Sequence, residues 1–174
     1  DLIDLDDFSE NRPVQVAHFE HKPFVNHTLS DNSIITLFQD HAGDIWIGTF
    51  GGGLNYYSPR AKKFRIVEQT LDRDKSISSN LVNAVYEEEK YLWIGTEHGL
   101  DQLIKSKEIY RHYTGTPNER GLAIGSDAVY ALEKDSRGNI WIGCWAGGLS
   151  RYNDRNTTIK TFWAGSGTHT ISDN

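Results

Sequence analysis

Apolar residues along this chain fall in short runs, and each run is bounded by glycine, asparagine, aspartate or serine. That pattern predicts short β-strands joined by tight turns. The runs also repeat. Ile45-Trp46-Ile47-Gly48-Thr49 returns as Leu92-Trp93-Ile94-Gly95-Thr96 and again as Ile140-Trp141-Ile142-Gly143-Cys144. The tryptophans are 47 and 48 residues apart, a period that matches one four-stranded propeller blade.

The flanks repeat in phase. About a dozen residues before each tryptophan, a polar pair precedes an apolar run: Asp31-Asn32, Ser79-Asn80 and Ser126-Asp127. After each tryptophan comes a glycine turn, at Gly51-Gly52-Gly53, Gly99 and Gly147-Gly148. One unit therefore reads strand A, hairpin, strand B, glycine loop, strand C, turn, strand D. Two of the A–B hairpins carry the Asp and Gly that tight turns favour, at residues 40–43 and 135–138. The middle one, Glu88-Glu89-Lys90, is a residue shorter and lacks the glycine, which predicts a different turn type. The fold class expected is all-β: a partial β-propeller of about three and a half four-stranded antiparallel blades, cut from a larger ring of the seven-bladed type. The expected divisions are outer strands of a preceding blade over 1–28, blades over 29–76, 77–123 and 124–170, and a lead-in to a further blade over 171–174.

Alternation along strand B puts Trp and Gly on one face and the two aliphatics on the other. Blades stack face to face, so such inner strands are buried on both sides. Trp46, Trp93 and Trp141 are accordingly expected in the core. Gly48, Gly95 and Gly143 leave room for a close neighbour.

The chain has 174 residues, 37% of them hydrophobic, 11% aromatic and 24% charged, with 16 glycines. This is a globular composition. The formal net charge is −6, without a basic run, so nucleic acid and anionic membrane are not expected partners. No apolar stretch reaches the roughly 18 residues that a membrane span needs. Methionine is absent even at position 1, which suggests excision from a longer chain. A lone cysteine, Cys144, allows neither an internal disulfide nor a cysteine-based metal site. An open stack of blades also leaves unpaired edges, so the remaining blades of a parent, or another copy of the chain, are expected to complete it.

The unit with its IWIGT block, its GGL block and the Tyr that follows resembles the two-component regulator propeller repeat, and the resemblance covers essentially the whole chain. It implies a parent of the kind found in bacterial hybrid two-component sensors: periplasmic or extracytoplasmic propellers, a membrane span, and a histidine kinase elsewhere in the protein. It also implies an oligosaccharide or similar extracellular ligand.

A ligand site should lie where the repeat breaks. The B–C and D–A loops share one rim, and their variable positions supply the candidates Phe50, Glu97, His98, Trp145 and Trp163. Rim aromatics can stack on sugar faces while an acid or imidazole fixes orientation; they can equally cover the ends of inter-blade grooves. His18 and His21 lack the further ligands that zinc requires, so no metal and no cofactor is expected. His27 and His169 recur at equivalent positions and read as loop structure, and the Asp4, Asp6, Asp7 cluster and the Glu87-Glu88-Glu89 run read as solvated turns. No catalytic residue is assigned, because glycosidases need two carboxylates across the scissile bond and these loops offer only Glu97. A structural or protein-interaction propeller, and a fragment of a polysaccharide lyase or glycosidase, stand as the alternatives to a ligand sensor.

Overall fold

The computed structural model describes residues 2–3, 16–165 and 170–171. It contains three four-stranded antiparallel sheets, each formed by consecutive strands in chain order. Blade 1 runs β3 (Ile34–Gln39), β4 (Ile45–Thr49), β5 (Leu54–Ser58) and β6 (Lys63–Val67). Blade 2 runs β7 (Val82–Glu87), β8 (Tyr91–Thr96), β9 (Gly99–Ile104) and β10 (Ile109–Tyr113). Blade 3 runs β11 (Val129–Lys134), β12 (Asn139–Cys144), β13 (Gly148–Asn153) and β14 (Thr158–Phe162). Ahead of them, β1 (Leu2–Ile3) pairs antiparallel with β2 (Val16–Ala17). Of the expected terminal lead-in, Ile171 forms an isolated parallel bridge with Ala164, and 172–174 lie outside the described residues, as do His169 and the Asp4, Asp6, Asp7 cluster.

The three blades are equivalent in detail. Each A strand carries a register shift at the same place, between Ile34 and Thr36, Val82 and Ala84, and Val129 and Ala131. The A–B hairpins are held by an acid. Asp40 Oδ2 accepts the Trp46 indole N–H at 3.1 Å, and Asp135 Oδ2 accepts that of Trp141 at 2.9 Å. Each Asp also accepts two backbone N–H groups of its own turn. Hydrogen bonds led by those from Asn139 hold the Asp135 carboxyl well below the usual carboxylate range. In the shorter middle hairpin the Glu88 backbone N–H reaches the Tyr91 carbonyl, and Glu88 Oε2 accepts the Trp93 indole at 2.8 Å. The longer glutamate side chain thus does what aspartate does elsewhere. This corrects the reading of Glu87-Glu88-Glu89 as a solvated turn: Glu87 pairs with Lys105 and His41, and Glu88 also pairs with Lys134.

The core lies between the blades. Leu92 and Ile94 of β8 face blade 1, packing with Leu54 and against Trp46. Trp93 faces blade 3 and packs with Val129, Ile140, Ile142 and Tyr152. Ile45 and Ile47 line the opposite face of blade 1, with Tyr57 and Phe64. The expectation of three core tryptophans needs correction. Trp93 is fully enclosed, whereas Trp46 and Trp141 are half-buried. The Trp141 ring faces away from blade 2 and is covered by Phe162, stacked at 5.7 Å, and by the Arg151 guanidinium at 5.8 Å.

The glycine beside each tryptophan shows how close the blades come. A Cβ on Gly48 would stand 2.7 Å from the Val82 carbonyl oxygen of blade 2, and one on Gly95 would stand 2.7 Å from Val129 Cγ1 of blade 3. At Gly143 the nearest atom would be Ala131 Cβ at 3.3 Å, within its own blade. At the opposite end Phe19 packs on Tyr57 and Phe64, and the described residues leave the rest of the face uncovered. Leu37, which occupies the register position of Val85 and Leu132, is 66% exposed.

Gly95→Val is therefore expected to cost about 1–3 kcal/mol by overpacking the blade 2–3 contact. The same change at Gly143 should stay within about 0.5 kcal/mol. Urea unfolding of the two variants, read as midpoint and slope, compares them directly.

Candidate functional site

The rim is built by one recurrent backbone bond. The first residue of each B–C loop donates its N–H to the residue just before strand A: Phe50 to Ser33 at 3.0 Å, Glu97 to Leu81 at 3.2 Å and Trp145 to Ala128 at 2.8 Å. Phe50, Glu97 and Trp145 thus occupy one repeat position, one per blade. The backbone is held there while the side chain is free to vary. Trp145 is 70% exposed and Phe50 is also exposed.

Two of the sequence candidates are brought together by a residue not among them. Tyr130 sits at the register shift of β11, half-exposed. Its ring lies 5.8 Å from that of Trp145, and its hydroxyl donates to Glu97 Oε2 at 3.4 Å. The charge of Glu97 raises the Tyr130 pKa. The result is an exposed pair of aromatic rings with a carboxylate at one end, spanning blades 2 and 3. Tyr130 escaped sequence reasoning because it lies inside an apolar strand A run. Its signal was position: the same slot holds Asn83 and Ile35 in the other blades.

The remaining candidates part from this cluster. His98 follows Glu97 but turns the other way, toward a hollow of about 400 Å³ beneath the loop after β6, which it lines together with Arg73, Ser78 and His112. Trp163 lies half-exposed just beyond β14, and its carbonyl accepts the Ile171 N–H at 3.2 Å. Among the described residues neither Phe50 nor Trp163 shares a ring contact with Trp145. His18 and His21 diverge as well, the first near Glu20 and the second bonded to the Leu29 carbonyl. His27 reaches the Phe64 carbonyl at 3.2 Å.

The floor of the hollow holds a polar group that sequence reasoning missed. Asp101 is completely buried in β9 and accepts from the Ser78 N–H at 2.7 Å, the Ser78 hydroxyl at 2.5 Å and His112 Nδ1 at 2.7 Å. His112 Nε2 meets the Arg73 carbonyl at 2.7 Å. Both ring nitrogens face acceptors, so both donate, and the ring is an imidazolium paired with a buried carboxylate. The hydrogen bond to Asp101 is the main cause that raises the His112 pKa. The trio is not arranged as a nucleophile with its base. The Ser78 proton points to Asp101, and the nitrogen facing Ser78 Oγ, at 3.0 Å, already carries a proton. Its role is to tie the loop and its 3₁₀ turn, Arg73–Lys75, to the blade. Equivalent anchors in the other blades are neutral: Asn55 accepts from the Ser30 N–H and Ser150 from the Gly125 N–H, both at 3.0 Å.

Comparison with known proteins follows the same lines. Residues 28–51 and 123–146 match the family model described as two component regulator propeller. The extracellular domain of BT3049 from B. thetaiotaomicron, described as a hybrid two component system, is 22% identical, with a TM-score of 0.70 over 86% of this chain and 20% of that one. The extracellular domain of BT4673 from the same organism, described as a one component system, is 23% identical, with a TM-score of 0.65 over 84% of this chain and 18% of that one. Virginiamycin B lyase from Staphylococcus aureus is 18% identical, with a TM-score of 0.57 over 83% of this chain and 46% of that one. These likenesses show the propeller fold. The chain spans about a fifth of the two extracellular domains. No curated protein matches it.

The His112–Asp101 pair makes stability depend on pH. Because the folded pKa of His112 lies above its ordinary 6.5, the stabilisation is complete below about 6.5 and is lost as pH rises through the raised value. Melting temperatures from pH 5.5 to 9 should fall more steeply for the native chain than for His112→Gln. Parallel curves would show that the ring carries no charge.

Proposed function

We propose, on the premise that the chain carries two component regulator propeller repeats, that it is the ligand-sensing part of an extracytoplasmic sensor propeller. In this reading it recognises an oligosaccharide and passes the signal to a histidine kinase elsewhere in the parent. The observation that carries the proposal is the rim cluster of Trp145, Tyr130 and Glu97. Two exposed rings offer an apolar platform to the faces of sugar rings, and the adjoining carboxylate accepts hydrogen bonds from hydroxyls. The cluster spans two blades, so a ligand seated on it would favour one relative placement of those blades. A shift in that placement is a change to which ligand affinity can couple.

The two open ends fit the same reading. The Trp141 and Gly143 face of blade 3 repeats the faces that meet Val82 and Val129, and the exposed Leu37 face of blade 1 repeats their counterparts. Further blades of the parent, or another copy of the chain, would cover both. Binding without catalysis is the role proposed for this segment, since the rim cluster holds a single carboxylate where glycoside cleavage calls for two.

A glycan array probed with the labelled chain tests the proposal. Retention of oligosaccharides, lost in Trp145→Ala while the melting temperature moves by no more than about 2 °C, is the expected result. An array on which the native chain retains nothing overturns the oligosaccharide reading. Cleaved products in the eluate would point to the lyase alternative.

A further inference from the structure

The carboxylate of the rim cluster has no counter-charge in the protein. Glu97 Oε2 accepts the Tyr130 hydroxyl across a long 3.4 Å, and Oε1 accepts nothing among the described residues. Nor does Glu97 form an ion pair among them. It is the one charged group that bears on the Tyr130 hydroxyl. The nearby cations are turned elsewhere. Arg120, in the loop that leads into blade 3, bears on Tyr113 of the outer strand, and Lys134 of β11 pairs with Glu88.

Beside this carboxylate stand two exposed rings, Tyr130 and Trp145. The faces of aromatic rings attract a cation, tryptophan most strongly. A carboxylate attracts one by charge and accepts its hydrogen bonds. Half-buried next to the rings, Glu97 is also less screened than an acid on an open surface. The arrangement occurs once among the described blades. One junction earlier the matching positions hold Phe50, Asn83 and Glu97. There Asn83 is buried, with its amide on the Val129 carbonyl at 3.2 Å, so no second ring stands beside Phe50.

We propose that the rim cluster selects oligosaccharides that carry free amino groups, with a sugar face on Tyr130 and Trp145 and its ammonium on Glu97. The inference rests on the oligosaccharide reading of this rim and names the class of sugar. An ammonium gives Glu97 a counter-charge and three donors, and it gains from both rings. A hydroxyl in the same place gives one donor and no charge. A uronic acid would set like charges together.

Isothermal titration of the chain with the glucosamine hexamer tests this against the glucose hexamer of the same linkage, in which a hydroxyl replaces each ammonium. Mildly acidic buffer keeps the amines charged. The amino hexamer should bind about tenfold more tightly, a difference of roughly 1.4 kcal/mol. A lysine hexamer, with similar charge and no sugar faces, should bind at least about tenfold more weakly than the amino hexamer; that separates the site from general attraction to an acidic protein. Glu97→Gln keeps the acceptor and removes the charge. It should weaken the amino hexamer about fivefold and leave the glucose hexamer within about twofold. Should that variant fail to fold, added salt reads the same charge on the native chain, weakening the amino hexamer and not the glucose hexamer. Glucose hexamer bound as tightly as the amino hexamer overturns the inference and leaves the oligosaccharide reading standing. So does an array that retains only neutral or acidic glycans. Equal binding of the lysine hexamer overturns the inference, and an array that retains no glycan overturns both.

Discussion

Blade-on-blade contact is the constraint from which the rest of this structure follows. Two sheets can approach so closely only if one presents a surface with a gap and the other fills it. Gly95 is that gap, and Val129 Cγ1 comes to where its Cβ would be. The neighbouring Trp93 spreads over the facing aliphatics of β12. Because a strand alternates its faces, the same four residues serve two interfaces at once: tryptophan and glycine forward, two aliphatics backward. The repeat is conserved along the chain by geometry, since each copy is both a neighbour's filler and its own gap.

That constraint leaves the rim free. Every blade ties its B–C loop to the start of strand A by one backbone bond, which costs no side chain. Phe50, Glu97 and Trp145 can therefore differ without disturbing the fold. The Glu97–Tyr130–Trp145 cluster arises because Tyr130 lies at the register shift of an inner strand, between a loop of the preceding blade and a loop of its own. The loops after the D strands are anchored lower down, by one buried polar side chain on strand C. In blades 1 and 3 that anchor is a neutral amide or hydroxyl. In blade 2 it is a carboxylate, and the buried charge calls for the imidazolium of His112.

The number and kind of strands, the face on which each strand B residue lies and the positions of the turns were all determined by the sequence itself. Periodicity is local, and alternation along a strand needs no knowledge of the neighbour. The glycine next to each tryptophan announced a close approach before the approaching Val82 or Val129 could be named. The rim position of Phe50, Glu97 and Trp145 was legible on the same grounds.

What only the tertiary structure decided was which of these residues meet. Glu97 and His98 are adjacent in sequence, yet one joins the rim cluster and the other turns toward the hollow that it lines with His112, because consecutive side chains point apart. Tyr130, Asp101 and His112 looked like ordinary strand residues, since their partners lie 33, 23 and 11 positions away. The burial of each tryptophan was likewise set by distant residues: Tyr113 and Tyr152 enclose Trp93, while the smaller Val67 and Leu103, at the matching register positions, leave Trp46 half-buried. Pattern determines which way a side chain points. Only the folded neighbour determines what it finds there.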